Sequence, residues 1–415
     1  MTGFFLEYCL AAGRIVAVPD WIWFTFIFAF GCCIGSFLNV VIYRLPRDKS
    51  LISPGSACPA CNKRIAFYDN IPLVSYLVLG RKCRHCKAPI SPRYFVIELL
   101  TGSIFAGLFL LYYRTNVRPS ITYLSDGRWL VYLTHIMLLG AFIAASAIDL
   151  QYWVIPLSIC WFATAVGFVA SVIAPYFNLI PVSLIHENRL LPWAAAPTAA
   201  LALGAAIGLA VAWVLVVTGL IKRSYEPTGH KDSEVASSPN APAASLPPDS
   251  AEQSPEPHFN HRLESCREIL FLLPIIACAM AACWILSRAV SEQTWNGFAS
   301  QHPALAGLLG SLFGYFVGCG TVWAVRILGT FGFGKEAMGL GDVHLMGAAG
   351  AVIGPLPVVV AFFIAPFFGL AWAGFQMFFK KIRQIPYGPF LSLGVLTVMI
   401  FHDSIMSRIG LFFYR

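Results

Sequence analysis

The feature that most constrains this chain is its set of long apolar runs without any charge, such as 153–175 and 193–221. An α-helix rises about 1.5 Å per residue, so roughly 20 apolar residues cross a hydrocarbon core about 30 Å thick. Hydrophobic residues make up 58% of the sequence and charged residues 12%. Soluble domains carry about 25% charged residues. The runs therefore predict an all-α polytopic membrane protein.

The apolar runs divide into about nine or ten passes of the length that a bilayer requires. They lie near 21–43, 94–113, 129–148, 153–176, 192–221, 269–290, 304–327, 344–379 and 387–411. The run 344–379 is too long for one crossing and is interrupted by Gly354-Pro355-Leu356-Pro357, so we interpret it as two short passes. The run 21–43 has no small-residue cleavage site, which favours a span over a removed signal peptide.

Basic residues predict the orientation of these spans. The loop 44–93 contains many lysines and arginines, against only Asp48 and Asp69. Loops of this kind face the cytoplasm. Counting passes onward from this loop places Asp149 and Asp342 on the same, cytoplasmic side. The net charge of +8 then belongs to cytoplasmic loops, and no nucleic-acid partner is expected.

Composition divides the chain into segments. They are a first transmembrane span (1–43), a cytoplasmic tetracysteine domain (44–93), a membrane core with the first aspartate (94–223), a linker (224–262) and a second membrane core (263–415). The linker is rich in Ser, Pro, Ala and Glu and nearly lacks large apolar residues. Such a segment cannot bury enough surface to offset its ordering entropy, so we predict a disordered cytoplasmic linker.

Two Cys-x-x-Cys pairs lie in the basic loop. They are Cys58-Pro-Ala-Cys61 and Cys83-Arg-His-Cys86. Four thiolates at this spacing are typical of a structural zinc site, which stabilises a small loop that lacks its own core. The alternatives are two disulfides or unrelated thiols, and a cytoplasmic position argues against disulfides. His85 could replace Cys86 as a ligand.

Two aspartates, Asp149 and Asp342, lie at the ends of apolar runs, where an ionisable side chain is costly and usually functional. As a close pair they could share a proton and act as base and acid on a water molecule. They could instead form a proton or ion pathway. They could also be helix caps, with Asp342 capping a helix that starts at Val343. Gly339 and Gly341 would let a substrate backbone approach Asp342 closely.

The ordered motifs resemble those of the type IV prepilin peptidases, membrane aspartic proteases with a Gly-x-Gly-Asp motif. The similar stretches are GSFLNVVIYRLP at 35–46, the tetracysteine segment from CPACNK to VIELLTG, the two aspartate motifs, and IPYGPF at 385–390. The resemblance covers nearly all of the chain outside the linker. Gly-x-Gly-Asp alone would be a weak signal, whereas five matches in order are specific.

This resemblance implies a function. Such enzymes remove the basic leader of type IV prepilins, or of type II secretion and competence pseudopilins, at the cytoplasmic face of the bacterial inner membrane. Asp149 and Asp342 would be the catalytic pair. Many members also methylate the new N-terminus with S-adenosylmethionine, a task linked to the cysteine-containing domain. The implied partners are prepilin or pseudopilin substrates and the lipid bilayer.

Some positions depart from the family pattern or allow two interpretations. Leu157 stands where the family usually has an acidic residue, and His344 stands where it usually has lysine. Asn39 could form a helix–helix hydrogen bond or contact the substrate. Glu98 could bind the substrate N-terminus or pair with Arg93.

Two other classes of function compete with the peptidase. A proton-coupled membrane transporter could use the two aspartates as a relay, but its usual signature is an inverted repeat with matched broken helices. We find no such repeat in this sequence. A zinc-dependent assembly platform would leave both aspartates with structural roles.

Overall fold

The computed structural model describes residues 19–115, 117–118, 128–177, 191–222, 224, 260–378 and 386–413. Within these ranges the protein is helical, and its only β-contacts are two isolated bridges near the cysteines. The α-helices are α1 (Asp20–Arg44), α2 (Val74–Val78), α3 (Pro92–Tyr113), α4 (Trp129–Tyr152), α5 (Leu157–Ile173), α6 (Ala196–Val217), α7 (His261–Ala289), α8 (Glu292–Gln301), α9 (Pro303–Phe333), α10 (Leu340–Ile353), α11 (Pro355–Phe378), α12 (Gly388–Ile400) and α13 (His402–Phe413). The all-α prediction is confirmed.

Eight of the described helices are long and apolar enough to cross a membrane, and the bent pair α12 and α13 gives a ninth if it is counted as one span. The run 344–379 divides at Gly354, as predicted. Gly354 has a φ of 91°, which suits glycine, and Pro355 begins α11. The prediction of two short passes is wrong for the second of them: α10 has 14 residues, but α11 has 24 and is long enough for a full pass.

The outer surface of the helices is apolar. On α7, for example, large side chains such as Leu273, Ile276, Met280 and Trp284 are all exposed. A water-soluble protein rarely exposes a continuous apolar surface of this size. The surface is instead suited to hydrocarbon, and the protein is a multi-pass membrane protein.

The interior of the bundle is held by helices that approach one another at small residues. On α9, a Cβ at Gly314 would overlap the carbonyl oxygen of Gly350 on α10, and a Cβ at Gly318 would overlap the carbonyl oxygen of Met346. A Cβ at Gly310 would meet the backbone of Trp193. Membrane helices gain stability mainly from such close packing, because lipid tails are as apolar as leucine. Gly314 and Gly318 on α9 therefore allow α10, which carries Asp342 in its first turn, to pack in the interior of the bundle.

The segment between α1 and α3 has a different construction. Each cysteine pair forms a tight turn: the Cys58 N–H donates to the Lys63 carbonyl at 3.0 Å, and the Cys83 N–H donates to the Ala88 carbonyl at 2.9 Å. Asn62 and Lys87 occupy the same place in the two turns, and both have positive φ angles, 55° and 60°. The two turns are therefore copies of one local structure.

The linker predicted at 224–262 lies mostly outside the described residues. Residues 224 and 260–262 are the described exceptions, and α7 already begins at His261. The helix start is supported by Asn260, whose side chain accepts a hydrogen bond from the Leu263 N–H at 3.4 Å. The membrane core therefore resumes two residues earlier than the sequence predicted.

Candidate active site

Asp149 lies in the last turn of α4 and is only 5% exposed. Its Oδ2 accepts a hydrogen bond from the backbone N–H of Gly388, the first residue of α12, at 3.1 Å. A Cβ at position 388 would lie 2.6 Å from the same oxygen. Only glycine therefore allows the start of α12 to reach this carboxyl group.

Asp342 lies in the first turn of α10 and is 8% exposed. Its Oδ2 accepts a hydrogen bond from the Gly339 N–H at 3.3 Å. Its Oδ1 is buried and has no hydrogen-bond partner within the described part of the chain. The interpretation of Asp342 as the cap of a helix starting at Val343 is wrong in register, because α10 begins at Leu340 and Asp342 is its third residue.

The fold brings the two aspartates to one place. Ile155, in the turn after α4, packs between Gly341, the residue before Asp342, and Gly388, which donates to Asp149. Its side chain lies against Gly341, and its Cδ1 is 3.1 Å from where a Cβ of Gly388 would be. Ile155 therefore lies beside the backbone next to each carboxyl group, and the two aspartates share one end of the bundle. Two carboxyl groups that share a confined space do not both ionise easily, so such a pair can hold one proton between them.

The two glycines of the Gly-x-Gly-Asp motif have different surroundings. Gly341 lies so close to Ile155 that a Cβ would come within 2.7 Å of the isoleucine Cβ. Glycine is therefore required at position 341 by packing inside the protein. Gly339 is exposed, and a Cβ there would make only ordinary contacts, 3.5 Å from Asp342 Oδ2 and 3.9 Å from the Gly341 nitrogen. Of the two, only Gly339 keeps open space beside the carboxyl group.

The four cysteine sulfur atoms form one cluster. All four, from Cys58, Cys61, Cys83 and Cys86, lie within 4.8 Å of one another, and the Cys58 and Cys86 sulfurs are 3.8 Å apart. Zn–S bonds of about 2.3 Å in a tetrahedron separate the sulfurs by about 3.8 Å. The donor set and its spacing therefore fit zinc.

Thiol ionisation in this cluster agrees with metal binding. The backbone N–H groups of Cys86 and His85 lower the pKa of the Cys83 thiol to about 6. The Ala88 N–H lowers the pKa of Cys86, but desolvation and the neighbouring thiols outweigh it and raise that pKa to about 11. The pKa values of Cys83 and Cys86 are thus shifted in opposite directions in the absence of a cation. A divalent metal would remove this conflict, because metal ligands bind as thiolates.

Two stretches of the chain match known family profiles. Residues 29–112 match the Bacterial Peptidase A24 N-terminal domain, which includes the four cysteines, and residues 269–374 match the Type IV leader peptidase family, which includes Asp342. These two stretches are similar to the type IV leader peptidase family. Asp149 lies between the two matched stretches, so its place in the site rests on its geometry.

Individual relatives of this family carry the name prepilin leader peptidase/N-methyltransferase. The chain is 42% identical over 133 residues to one from Myxococcus xanthus, which is 32% of this chain and 36% of the relative. It is 32% identical over 178 residues to one from Burkholderia pseudomallei (36% and 53%) and 44% identical over 98 residues to one from Klebsiella pneumoniae (22% and 43%). The matches thus span about a third to a half of these relatives. No solved structure matches the chain.

The two departures from the type IV leader peptidase pattern lie near the aspartates. His344 faces an aromatic group: its Nδ1 is 2.9 Å from the Tyr315 hydroxyl, and its ring centroid is 5.5 Å from that of Trp161. Leu157 begins α5 and is exposed. The sequence did not indicate the contact with Tyr315 or Trp161, since both lie in apolar runs where an aromatic residue carries no special signal.

Asn39 and Glu98, in the N-terminal domain of the leader peptidase pattern, contact backbone groups. The Asn39 amide donates to the Tyr94 carbonyl on α3 at 3.0 Å, which is the predicted helix–helix hydrogen bond. The Glu98 carboxylate accepts from the Leu73 N–H at 2.8 Å and so connects α3 to the tetracysteine segment. Neither contact tests a role in substrate binding.

Arg93 does not serve as the partner of Glu98. Its Nη1 donates to the side-chain oxygen of Gln151 at 2.5 Å, two residues beyond Asp149. The start of α3, next to the tetracysteine segment, is therefore connected directly to the end of the helix that carries the first aspartate. Contacts across 58 residues of sequence leave no local signal, which is why the sequence did not reveal this one.

A cleft of about 1240 Å³ lies between α1, the tetracysteine segment and the start of α3. Its lining includes Asn39, Tyr43, Arg93, Glu98 and Gln151. The Oδ1 atom of Asn39 is buried and unpartnered among the described residues. Ligand sites are usually concave, with volumes of roughly 300–1,000 Å³ and a few polar groups among apolar ones. This cleft is large enough for a cofactor and reaches the end of the Asp149 helix.

Proposed function

We propose that this protein is a membrane aspartic endopeptidase that removes the leader from type IV prepilins or type II secretion pseudopilins. The observation that carries the proposal is the meeting of two buried carboxyl groups, Asp149 and Asp342, at one end of the bundle. One of them keeps an oxygen without a partner inside the described structure. The family, and the names of the relatives, support the same activity.

The proposed reaction uses the pair as acid and base. One carboxylate removes a proton from a water molecule that attacks the scissile carbonyl, and the other carboxyl group donates a proton to the leaving nitrogen. No covalent intermediate is required. The unpartnered Oδ1 of Asp342 is available to hold the water. The backbone N–H groups of Gly388 and Gly339 donate to the Oδ2 atoms of Asp149 and Asp342, respectively.

The proposed orientation places this site at the cytoplasmic face of the bacterial inner membrane. The basic loop 44–93 supports this, because lysine and arginine are enriched in cytoplasmic loops. A substrate with a basic leader and an apolar helix could place the helix among the spans and its leader in the cytoplasm. The peptide bond between these parts would then lie at the depth of the aspartates, where water is accessible.

We also propose that Cys58, Cys61, Cys83 and Cys86 hold one structural zinc ion. The sulfur spacing described above supports it. When bound, the metal would join the two equivalent turns into one unit. A segment of this size without a core of its own requires such a cross-link to stay folded.

A second activity, methylation of the new N-terminus with S-adenosylmethionine, is favoured by the cleft beside the tetracysteine segment. Glu98 and the free Oδ1 of Asn39 could accept from the ammonium group of the methyl donor, and Arg93 could bind its carboxylate. When bound, the cofactor would supply an electrophilic methyl group. The contact of Arg93 with Gln151 would keep that group near the site where the new N-terminus forms.

The peptidase proposal is tested with purified protein and a pilin-like substrate. Asp149→Asn and Asp342→Asn each keep the size of the side chain and remove acid–base function, so cleavage should fall by roughly 10²–10⁴-fold. The matched control is Asp48→Asn at an exposed position with a φ of 53°, which asparagine tolerates. Normal cleavage in either aspartate variant would contradict the proposal and favour the transporter.

Binding of the methyl donor is tested separately, by calorimetry with S-adenosylmethionine. Glu98→Gln and Asn39→Ala should each weaken binding by roughly tenfold, the effect of one lost hydrogen bond to a charged group. Cleavage of the leader should remain, since neither residue contacts the aspartates. Unchanged binding in both variants would place the methyl donor elsewhere.

A further inference from the structure

A single arginine, Arg326, lies deep inside the apolar helix α9. It is 3% exposed. A buried guanidinium is costly in a low-dielectric interior unless hydrogen bonds and opposite charges surround it. Its surroundings therefore decide what it does.

One side of Arg326 binds Glu268 on α7. Its Nε lies 3.0 and 3.2 Å from the two carboxylate oxygens, and its Nη2 lies 2.9 Å from one of them. The indole N–H of Trp323, one turn earlier on α9, donates to the same carboxylate at 2.9 Å. Glu268 is itself buried. The guanidinium is thus fixed in position and orientation by a neighbouring helix.

The other side of Arg326 binds the loop that leads into α10. Its Nη1 donates to Glu336 Oε1 at 2.7 Å and to the backbone carbonyl of Met338. The Met338 carbonyl belongs to the peptide bond between residues 338 and 339. The N–H of that same peptide bond, on Gly339, donates to Asp342 Oδ2. One peptide group therefore joins Arg326 to Asp342.

We infer that Arg326 is a positioning residue that holds the Met338–Gly339 peptide and, through it, the carboxyl group of Asp342. This inference rests on the proposed peptidase function. Arg326 fixes the carbonyl end of the peptide, so the N–H end stays aimed at Oδ2 and the Oδ1 of Asp342 remains available.

The chemistry requires arginine rather than any cation. Its planar fork binds Glu268 with two nitrogens and still has a third for the loop, whereas lysine offers one compact ammonium group. A cation on the Met338 carbonyl also polarises the peptide group, and hydrogen bonds in series strengthen one another. The Gly339 N–H is therefore a better donor to Asp342 than an isolated amide would be.

The test measures kcat and KM for cleavage of a pilin-like substrate. Arg326→Gln should lower kcat by roughly 10–100-fold, because a displacement of about 1 Å at a reacting group can cost about 100-fold. KM should change less than about twofold, because the substrate is not contacted. Arg326→Lys should recover part of the loss. Arg288→Gln, at an exposed arginine on α7 that lies over the Trp284 ring, is the matched control and should stay near the wild-type kcat.

Arg326→Gln leaves Glu268 buried without its cation and could destabilise the fold. Glu268→Gln with Arg326→Gln removes both charges, and this double variant should keep the same low kcat while regaining stability. Backbone hydrogen exchange supplies a readout that does not depend on activity. Exchange at 334–339 should become faster in Arg326→Gln, with no change at 157–173.

A kcat for Arg326→Gln within twofold of wild type would overturn the inference, and so would faster exchange spread equally over both stretches. If the wild-type protein cleaves no pilin-like substrate, the proposed function fails. The exchange comparison then still decides whether Arg326 holds the loop before Asp342.

Discussion

The helical bundle and the tetracysteine segment keep their shapes in different ways. In the bundle, helices meet backbone to backbone at small residues, as Gly314 does with Gly350. The segment has few buried side chains and two short turns, and its cysteine sulfurs converge on one point. Stability in the bundle is therefore distributed over many contacts, while stability in the segment is concentrated at a single site. Each region should fail under a different challenge.

Among the hydrogen bonds that join the two regions, two lie near the start of α3. Glu98 on α3 accepts from Leu73 of the segment, and Arg93 donates to Gln151 at the end of α4. The second contact lies two residues from Asp149. A change in the segment can therefore reach the end of the bundle that carries Asp149 without unfolding it.

The largest effect should come from crowding the bundle. Gly314→Leu places a side chain against the carbonyl oxygen of Gly350, which is backbone and cannot rotate away. Overpacking costs about 1–3 kcal/mol when side chains can adjust and more when they cannot. We expect little folded protein, measured as the detergent-soluble monodisperse fraction.

The matched control is Gly320→Leu on the same helix. No atom outside its own helix turn lies within 4 Å of a Cβ at that position among the described residues. It should fold like the wild type. Equal folded fractions for the two variants would show that close approach at Gly314 does not hold the bundle together.

A smaller and local effect should follow loss of the metal. Cys58→Ser with Cys83→Ser should abolish zinc, measured by elemental analysis at about one ion per chain in the wild type. Residues 50–93 should become sensitive to proteolysis, while the thermal unfolding of the bundle stays nearly the same. Cys266→Ser, at an exposed cysteine outside the cluster, should change neither. Full zinc retention in the double variant would show that these cysteines do not hold the metal.

The smallest effect should come from the linker. Deleting residues 228–256 should leave cleavage and bundle stability close to wild type, because a polar segment of this composition contributes little packing. Activity is compared at equal membrane levels of the two proteins. A complete loss of cleavage at normal membrane levels would mean that these residues take part in substrate recruitment. The linker would then be a third functional region beside the bundle and the tetracysteine segment.

Much of this architecture could be predicted from the sequence. The apolar runs, the break at Gly354 and the convergence of the four cysteines all follow from local patterns. The neighbours of each helix could not be predicted, because most of these helices are apolar on every side and periodicity cannot show which face is buried. The packing of Gly341 on Ile155 and the pairing of Arg326 with both Glu268 and Glu336 are contacts of this kind.

One signal inside the apolar runs was open to a closer reading. Arg326 is the one charged residue of the predicted span 304–327, at its second-last position, and charged residues within spans are usually paired and functional. The start of α10 was missed for another reason. Gly339 and Leu340 carry no capping signal, so the sequence suggested Asp342 as the cap, whereas the helix begins two residues before it.

The most direct test of the central claim, that Asp149 and Asp342 act as one unit, is the cleavage rate of the double variant. Asp149→Asn, Asp342→Asn and the combination are compared under identical conditions, with Asp48→Asn as the control. Each single variant should lose roughly 10²–10⁴-fold, and the double variant should lose little more than either. If the loss in the double variant is the product of the two single losses, the aspartates work separately and the shared-proton account is wrong. The same conclusion follows if Asp342→Asn keeps more than about half of the wild-type activity, because loss of an acid–base group should cost far more than that.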